Sequence, residues 1–162
     1  MKKTSIFLLL TVVLSLVLSA CSSNNKEAAI DPKVPAKEMA DQLLARFEQP
    51  MLMELETAMV QQLYRLDPAL LEDYSIRTPL MNVKTNELTI LKVKEAKDVA
   101  VVEAAVKQRA GDVQKQFESY LPDQYELSKN YKLVIKGNYI LFVISENADE
   151  LVKSFEGFFG QK

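Results

Sequence analysis

Six consecutive apolar residues, Tyr139-Ile-Leu-Phe-Val-Ile144, leave no face of a β-strand for water. A strand of that composition belongs in the middle of a sheet, buried on both sides. Its neighbour is close in sequence. Tyr131 to Lys136 is also rich in β-formers, and Gly137-Asn138 between the two runs is a two-residue hairpin signal. The chain must build a sheet around this hairpin and supply helices to cover it.

The remaining periodicities supply those elements. Ala36, Met39, Ala40, Leu43, Leu44 and Phe47 recur at three- and four-residue spacing, with Pro35 at the start and Pro50 at the end. Thr57 is positioned to cap a second helix whose Val60, Leu63, Tyr64 and Leu66 face inward, and Asp67-Pro68 starts a short helical turn. Tyr74 to Val83 reads as extended, with Pro79 suggesting an edge strand or a bulge. Glu87 to Lys94 follows as a strand. Asp98 is positioned to cap a long helix with the stripe Val99, Val102, Val106, Ala110, Val113, Phe117 and Leu121, closed by Pro122. Asn147 and Glu150 resemble a capping box before a last helix through Leu151, Val152, Phe155, Phe158 and Phe159.

Ile90-Leu91-x-Val93 followed by a helix is echoed fifty residues on by Ile140-Leu141-x-Val143 followed by a helix. The expected architecture is α+β: N-terminal helices, then two β-β-α units, with an antiparallel sheet of about four strands and helices packed on it. At 162 residues one domain is expected, over residues 35–162.

The first residues read as an address. Lys2 and Lys3 precede Ile6 to Leu18, an uncharged apolar run of 13 residues. That suits a secretory leader and falls short of the roughly 20 residues that span a bilayer. Leu18-Ser19-Ala20-Cys21 then resembles the bacterial lipoprotein signal, with the only Cys of the chain at the required position. The resemblance implies a signal peptide over residues 1–20, cleavage between Ala20 and Cys21, and a diacylglyceryl thioether on Cys21. Two acyl chains hold a protein on a membrane where one does not. Removal of Lys2 and Lys3 leaves 18 cations against 22 acids, a formal charge of −4, so the lipid and not electrostatics must do the anchoring. Residues 21–34, polar and bracketed by Pro32 and Pro35, read as the lipidated Cys and a tether. Its 13 residues after Cys21 reach at most roughly 45 Å.

Phe117-Glu-Ser-Tyr120-Leu-Pro122-Asp-Gln-Tyr125-Glu-Leu, Lys136-Gly-Asn-Tyr139 and Val143-Ile-Ser145 resemble a family of small lipoproteins from Gram-positive bacteria. So do Met81-Asn82-Val83 and Glu87-Leu-Thr-Ile-Leu. The likeness runs over roughly residues 35–160. It implies a location on the extracytoplasmic face of the cell membrane and a fold. That family's domain is of unknown function, so the resemblance carries over no catalytic or binding residues.

The composition narrows the chemistry. No His is present, which removes the usual base and metal ligand. Near balance of 20 Lys and Arg against 22 Asp and Glu gives no footprint for nucleic acid. Four Gly form no phosphate loop, and neither a cofactor nor a metal is expected. Ser128-Lys129 and Lys153-Ser154 are adjacent pairs whose side chains point apart. Glu54, Glu56, Glu72, Asp73, Glu118, Asp123 and Glu126 are the carboxylates available for glycoside hydrolysis, and all read as surface charge.

The remaining candidate is Ser119 to Tyr125, where Tyr120 and Tyr125 flank Pro122 on a connection between helix and strand. These residues are candidate partner-binding positions; the plainer role is to cover the sheet edge and stop the helix. Tyr131 and Tyr139 are expected near one another across the hairpin. The leading expectation is a non-enzymatic, lipid-anchored binding or accessory module for an envelope protein, a peptide or a wall component. A small-ligand binder serving a membrane transporter is the alternative, and a carboxylate-dependent envelope hydrolase comes third.

Overall fold

In a computed structural model describing residues 31–160, the sheet has five antiparallel strands in the order β1-β2-β3-β5-β4. The strands are β1 Leu52–Glu54, β2 Leu71–Pro79, β3 Glu87–Val93, β4 Lys132–Lys136 and β5 Tyr139–Ile144. Five helices accompany them: α1 Ala36–Leu44, α2 Thr57–Tyr64, α3 Val99–Phe117, α4 Pro122–Lys129 and α5 Ala148–Gly157. The α+β class holds. The signal peptide over 1–20, the Ala20–Cys21 cleavage and the lipid on Cys21 lie outside the described residues.

Strand β5 is buried at every position and sits between β3 and β4, as six apolar residues require. Alternation along the strands sorts the core into two. Leu91, Val93, Ile140, Phe142 and Ile144 face α2, α3 and α4. Leu88, Ile90, Tyr139, Leu141 and Val143 face α1 and α5. The sheet is thus the middle of three layers. Both β-β-α units are present, but α3 covers one face and α5 the other. A rotation that exchanges two antiparallel strands keeps each residue's face. Ile90 and Ile140, fifty apart, lie on opposite faces. The echo in sequence is therefore one of element order, not of internal symmetry.

Several local expectations change. Leu52–Glu54, where the sequence carries no signal for an element, is an edge strand: Leu52, Met53 and Glu54 pair with Pro79, Thr78 and Arg77. That pairing makes β2 an interior strand. Its irregularity falls between Leu71 and Asp73, and Pro79 ends it. Helix α3 stops at Phe117, and a second helix starts at Pro122 where a connection was expected. Asp67 caps its turn through Ala69 N–H at 2.9 Å. Asp98 and Asn147 make no side-chain cap bonds, and Glu56, not Thr57, takes the N-cap position of α2. Ser145 Oγ accepts the Asn147 N–H instead, at 3.1 Å. At the start of α1 the Ala36 N–H donates to the Asp73 carboxylate at 2.7 Å, so a neighbouring strand supplies the cap. Gly137 turns the β4–β5 hairpin with φ of 58°, a region costly for any residue with a Cβ.

Candidate functional site

Tyr120, Pro122 and Tyr125 differ in how far they reach the surface. Tyr120 is 57% exposed on the turn after α3, its ring centroid 6.2 Å from that of Phe117. Pro122 is the exposed first residue of α4. Tyr125, one turn along that helix, packs against the core, with Lys129 Nζ 4.8 Å from its ring centroid. Tyr131 and Tyr139 fall on opposite faces of the sheet. Tyr131 packs edge-on against Phe142, whereas Tyr139 packs against Phe159.

The chemistry collects elsewhere. Glu87, the first residue of β3, is 1% exposed and points toward α2 and α3. From α3, Arg109 Nε donates to its carboxylate at 3.1 Å and Arg109 Nη2 at 2.7 Å. From the end of α2, the Tyr64 hydroxyl donates to Glu87 Oε1. Thr89, two residues along β3 on the same face, donates its hydroxyl to the Tyr64 oxygen at 2.6 Å, since the Tyr64 proton is already used. The guanidinium carbon lies 5.8 Å from the Tyr64 ring centroid. Burial, then the Glu87 charge, pushes the Tyr64 hydroxyl well above its ordinary value, so it remains a donor. Burial acts to lower the Arg109 value, but the Glu87 carboxylate outweighs it and the guanidinium is held more firmly charged.

This network forms one end of a cavity of about 300 Å³. Leu55, Met59 and Leu63 wall it from the α2 side, and Val113 and Phe117 from α3. The β2–β3 loop closes the third side through Pro79, Met81, Asn82, Lys84 and Thr85. That loop is pinned at its far end: Thr85 N–H donates to Gln124 Oε1 at 3.0 Å, and the Thr85 hydroxyl donates to the Gln124 carbonyl. Before the pin the loop is open. Leu80, Met81 and Val83 are exposed, and so are Met53 on the adjoining edge strand and Met51 just before it. These five are most of the exposed large apolar side chains among the described residues; Met81 lines the cavity, and the others lie on the same loop or at the sheet edge paired with β2.

At the other end of β3, about 17 Å away by strand rise, Lys92 Nζ bonds Glu72 at 2.8 Å and Asp31 at 3.1 Å. The Tyr139 hydroxyl donates to Asp31 at 2.8 Å. Asp31 is thereby drawn below the usual carboxylate range, by Tyr139 first and Lys92 second. Burial and the Asp31 hydrogen bond push Tyr139 up to about 12. Pro32 is buried beside this cluster, so residues 31–34 lie against the domain.

The seven carboxylates read as surface charge do not converge on the cavity, whose lining holds one carboxylate, Glu87. Glu87 and Arg109 were missed by sequence reasoning. A signal existed. Leu88 and Ile90 lie on one face of β3 and Leu91 and Val93 on the other, so both faces are apolar. Glu87 and Thr89 alternate with Leu91 and had to be buried. A buried carboxylate then calls for a cation on the covering helix. Among the described residues no cluster of three His, Cys, Asp or Glu could hold a metal, and no helix is long and apolar enough to cross a membrane.

The model of a domain of unknown function, DUF4358, matches residues 45–145, more than half of the chain. The matched segment contains all five strands, α2 to α4 and every residue lining the cavity; α1 and α5, which cover the other face, lie outside it. No curated protein and no solved structure matches the chain.

Proposed function

Since the chain belongs to the DUF4358 family, a grouping defined without an activity, we propose from its own residues that it is a non-enzymatic binding module. It is carried on the extracytoplasmic face of a membrane by a lipid on Cys21 and engages an envelope protein, peptide or wall component at the cavity end of the sheet. The observation that carries the binding half is the cavity mouth: exposed Met81 on its lining, with exposed Leu80 and Val83 on the same loop and Met51 and Met53 at the adjoining sheet edge, over a floor where Glu87 is engaged by Arg109 and Tyr64. Both Glu87 oxygens already accept hydrogen bonds from within the protein, from Tyr64 at Oε1 and from Arg109 at Oε2. The two-carboxylate geometry of glycoside hydrolysis needs a second acid across a gap of about 5–10 Å, and the lining holds one. Long, flexible Met side chains suit a surface that accepts a partner.

The anchoring half rests on Leu18-Ser19-Ala20-Cys21. Asp31, ten residues beyond Cys21, is held by Lys92 and Tyr139 at the sheet end opposite the cavity. The tether therefore joins the domain at the end of the sheet remote from the cavity.

The test is site-specific photo-crosslinking on living cells, with the reactive group at Met81 or, as a control on the outer face of α3, at Val101. Recovery of an extracytoplasmic partner through Met81 alone supports the reading. Equal labelling from both positions, or none from either, contradicts it.

A further inference from the structure

We propose that the cavity between α2, α3 and the β2–β3 loop takes a small amphipathic carboxylate, one carboxylate on an apolar body. The inference rests on the binding-module reading and names its ligand.

Arg109 carries five N–H donors in a planar fork. Glu87 occupies Nε and part of Nη2, and Nη1 has no partner among the described residues. Nη1 is not buried without a partner, and the guanidinium lines the cavity, so its free edge opens there. Glu87 and the Tyr64 ring hold the fork in place, and a fixed fork is the preferred receptor for a carboxylate. Lys84 on the loop adds a second cation. Asp123 lies close enough to feel the charge of Lys84 but does not line the cavity. Within the lining, two cations therefore face one carboxylate that is already engaged.

The walls set the rest of the ligand. Leu55, Met59, Leu63, Val113 and Phe117 offer it no hydrogen bonds, and the uncharged polar groups of the lining are Thr78, Asn82, Thr85 and Gln116. A volume of about 300 Å³ lies at the small end of ligand sites. A neutral apolar guest would bury the free edge of Arg109 unpaired. An amine would face two cations. A phosphate dianion would bring a second full charge against Glu87. A monocarboxylate with an apolar body matches floor and walls together. Such chemistry has two sources, a medium-chain fatty acid or the free C-terminus of an apolar peptide.

Equilibrium dialysis of the purified full chain against labelled octanoate and labelled acetyl-leucyl-leucine tests this, with octanol and acetyl-leucyl-leucine amide as uncharged controls. A change at Arg109 would strip Glu87 of its partner and mix a loss of stability with a loss of binding, so it is not the variant used. Lys84→Gln, at an exposed position, and Met59→Trp, which fills the cavity from a half-buried position, are used instead, each checked by circular dichroism. One-to-one binding of either acid is expected, weakened about 3–5-fold by Lys84→Gln and at least about tenfold by Met59→Trp. Octanoate alone identifies a fatty acid, and the dipeptide alone a peptide C-terminus. Three outcomes overturn the ligand class: uncharged controls binding as tightly as the acids, affinity unchanged in both variants, or no binding up to about 5 mM. In each of them the Met81 crosslink still decides the binding-module reading separately.

Discussion

Arg109→Met removes the cation and leaves Glu87, 1% exposed, with only the Tyr64 hydroxyl to satisfy it. Two charge-assisted hydrogen bonds are lost, at 3.1 and 2.7 Å. Each contributes roughly 1.5–3 kcal/mol. Stripping one partner from a buried pair costs about 3–5 kcal/mol. The Arg109 side chain is 13% exposed, so some water reaches the vacated site and the lower end, about 3 kcal/mol, is expected. Total stabilities run about 5–15 kcal/mol, so the variant should fold but melt roughly 10 °C lower. Guanidinium denaturation followed by circular dichroism measures it, with the slope unchanged. Glu87→Leu combined with Arg109→Met removes both charges and lets Tyr64 turn its proton to Thr89. That double variant should recover at least about 2 kcal/mol of the single variant's loss, because no charge is left buried alone. An Arg109→Met chain within about 1 kcal/mol of wild type, or a double variant no better than the single, would refute the buried-pair account.

Leu141→Ala, at a fully buried site between α1 and α5, should cost about 2–5 kcal/mol in the same denaturation assay. Gly137→Ala forces a Cβ onto a φ of 58° and should cost about 1–2 kcal/mol, with the hairpin amides exchanging faster. The Tyr139 hydroxyl should ionise near 12 in an ultraviolet titration. Its folded value lies above its ordinary one, so its contribution to stability is complete below about 10 and is lost as pH rises toward 12. Asp31→Asn should bring that ionisation down, since the second of its causes is removed. The Asp31 carboxylate shifts the other way: its contact with Tyr139 should persist above the ordinary carboxylate range and loosen as pH falls below it, as read from the Tyr139 ring signals by NMR.

Elements with a full hydrophobic signature were legible before any coordinates. The unbroken apolar run of β5 fixed a central strand, and the 3.6-residue stripe of α3 fixed a long helix. What escaped was decided by tertiary pairing. Leu52–Glu54 is too short to carry a periodicity and is a strand only because β2 offers it an edge. The start of α1 is satisfied by Asp73, 37 residues away, a distance over which local capping rules say nothing. The site was missed for a related reason. Surface and core carboxylates look alike in sequence, and Glu87 is distinguished only by the double-sided burial of its strand. Tyr120 and Tyr125 drew attention as aromatic residues around a proline, but a helix starting at Pro122 turns one outward and the other onto the core.

Intact-mass measurement of the protein extracted from the membrane fraction of cells that express it tests the central claim most directly. The account predicts a chain that begins at Cys21 and carries the added mass of a diacylglyceryl group, absent from a Cys21→Ala variant. A chain still beginning at Met1, or a mature chain with an unmodified thiol at Cys21, would contradict it.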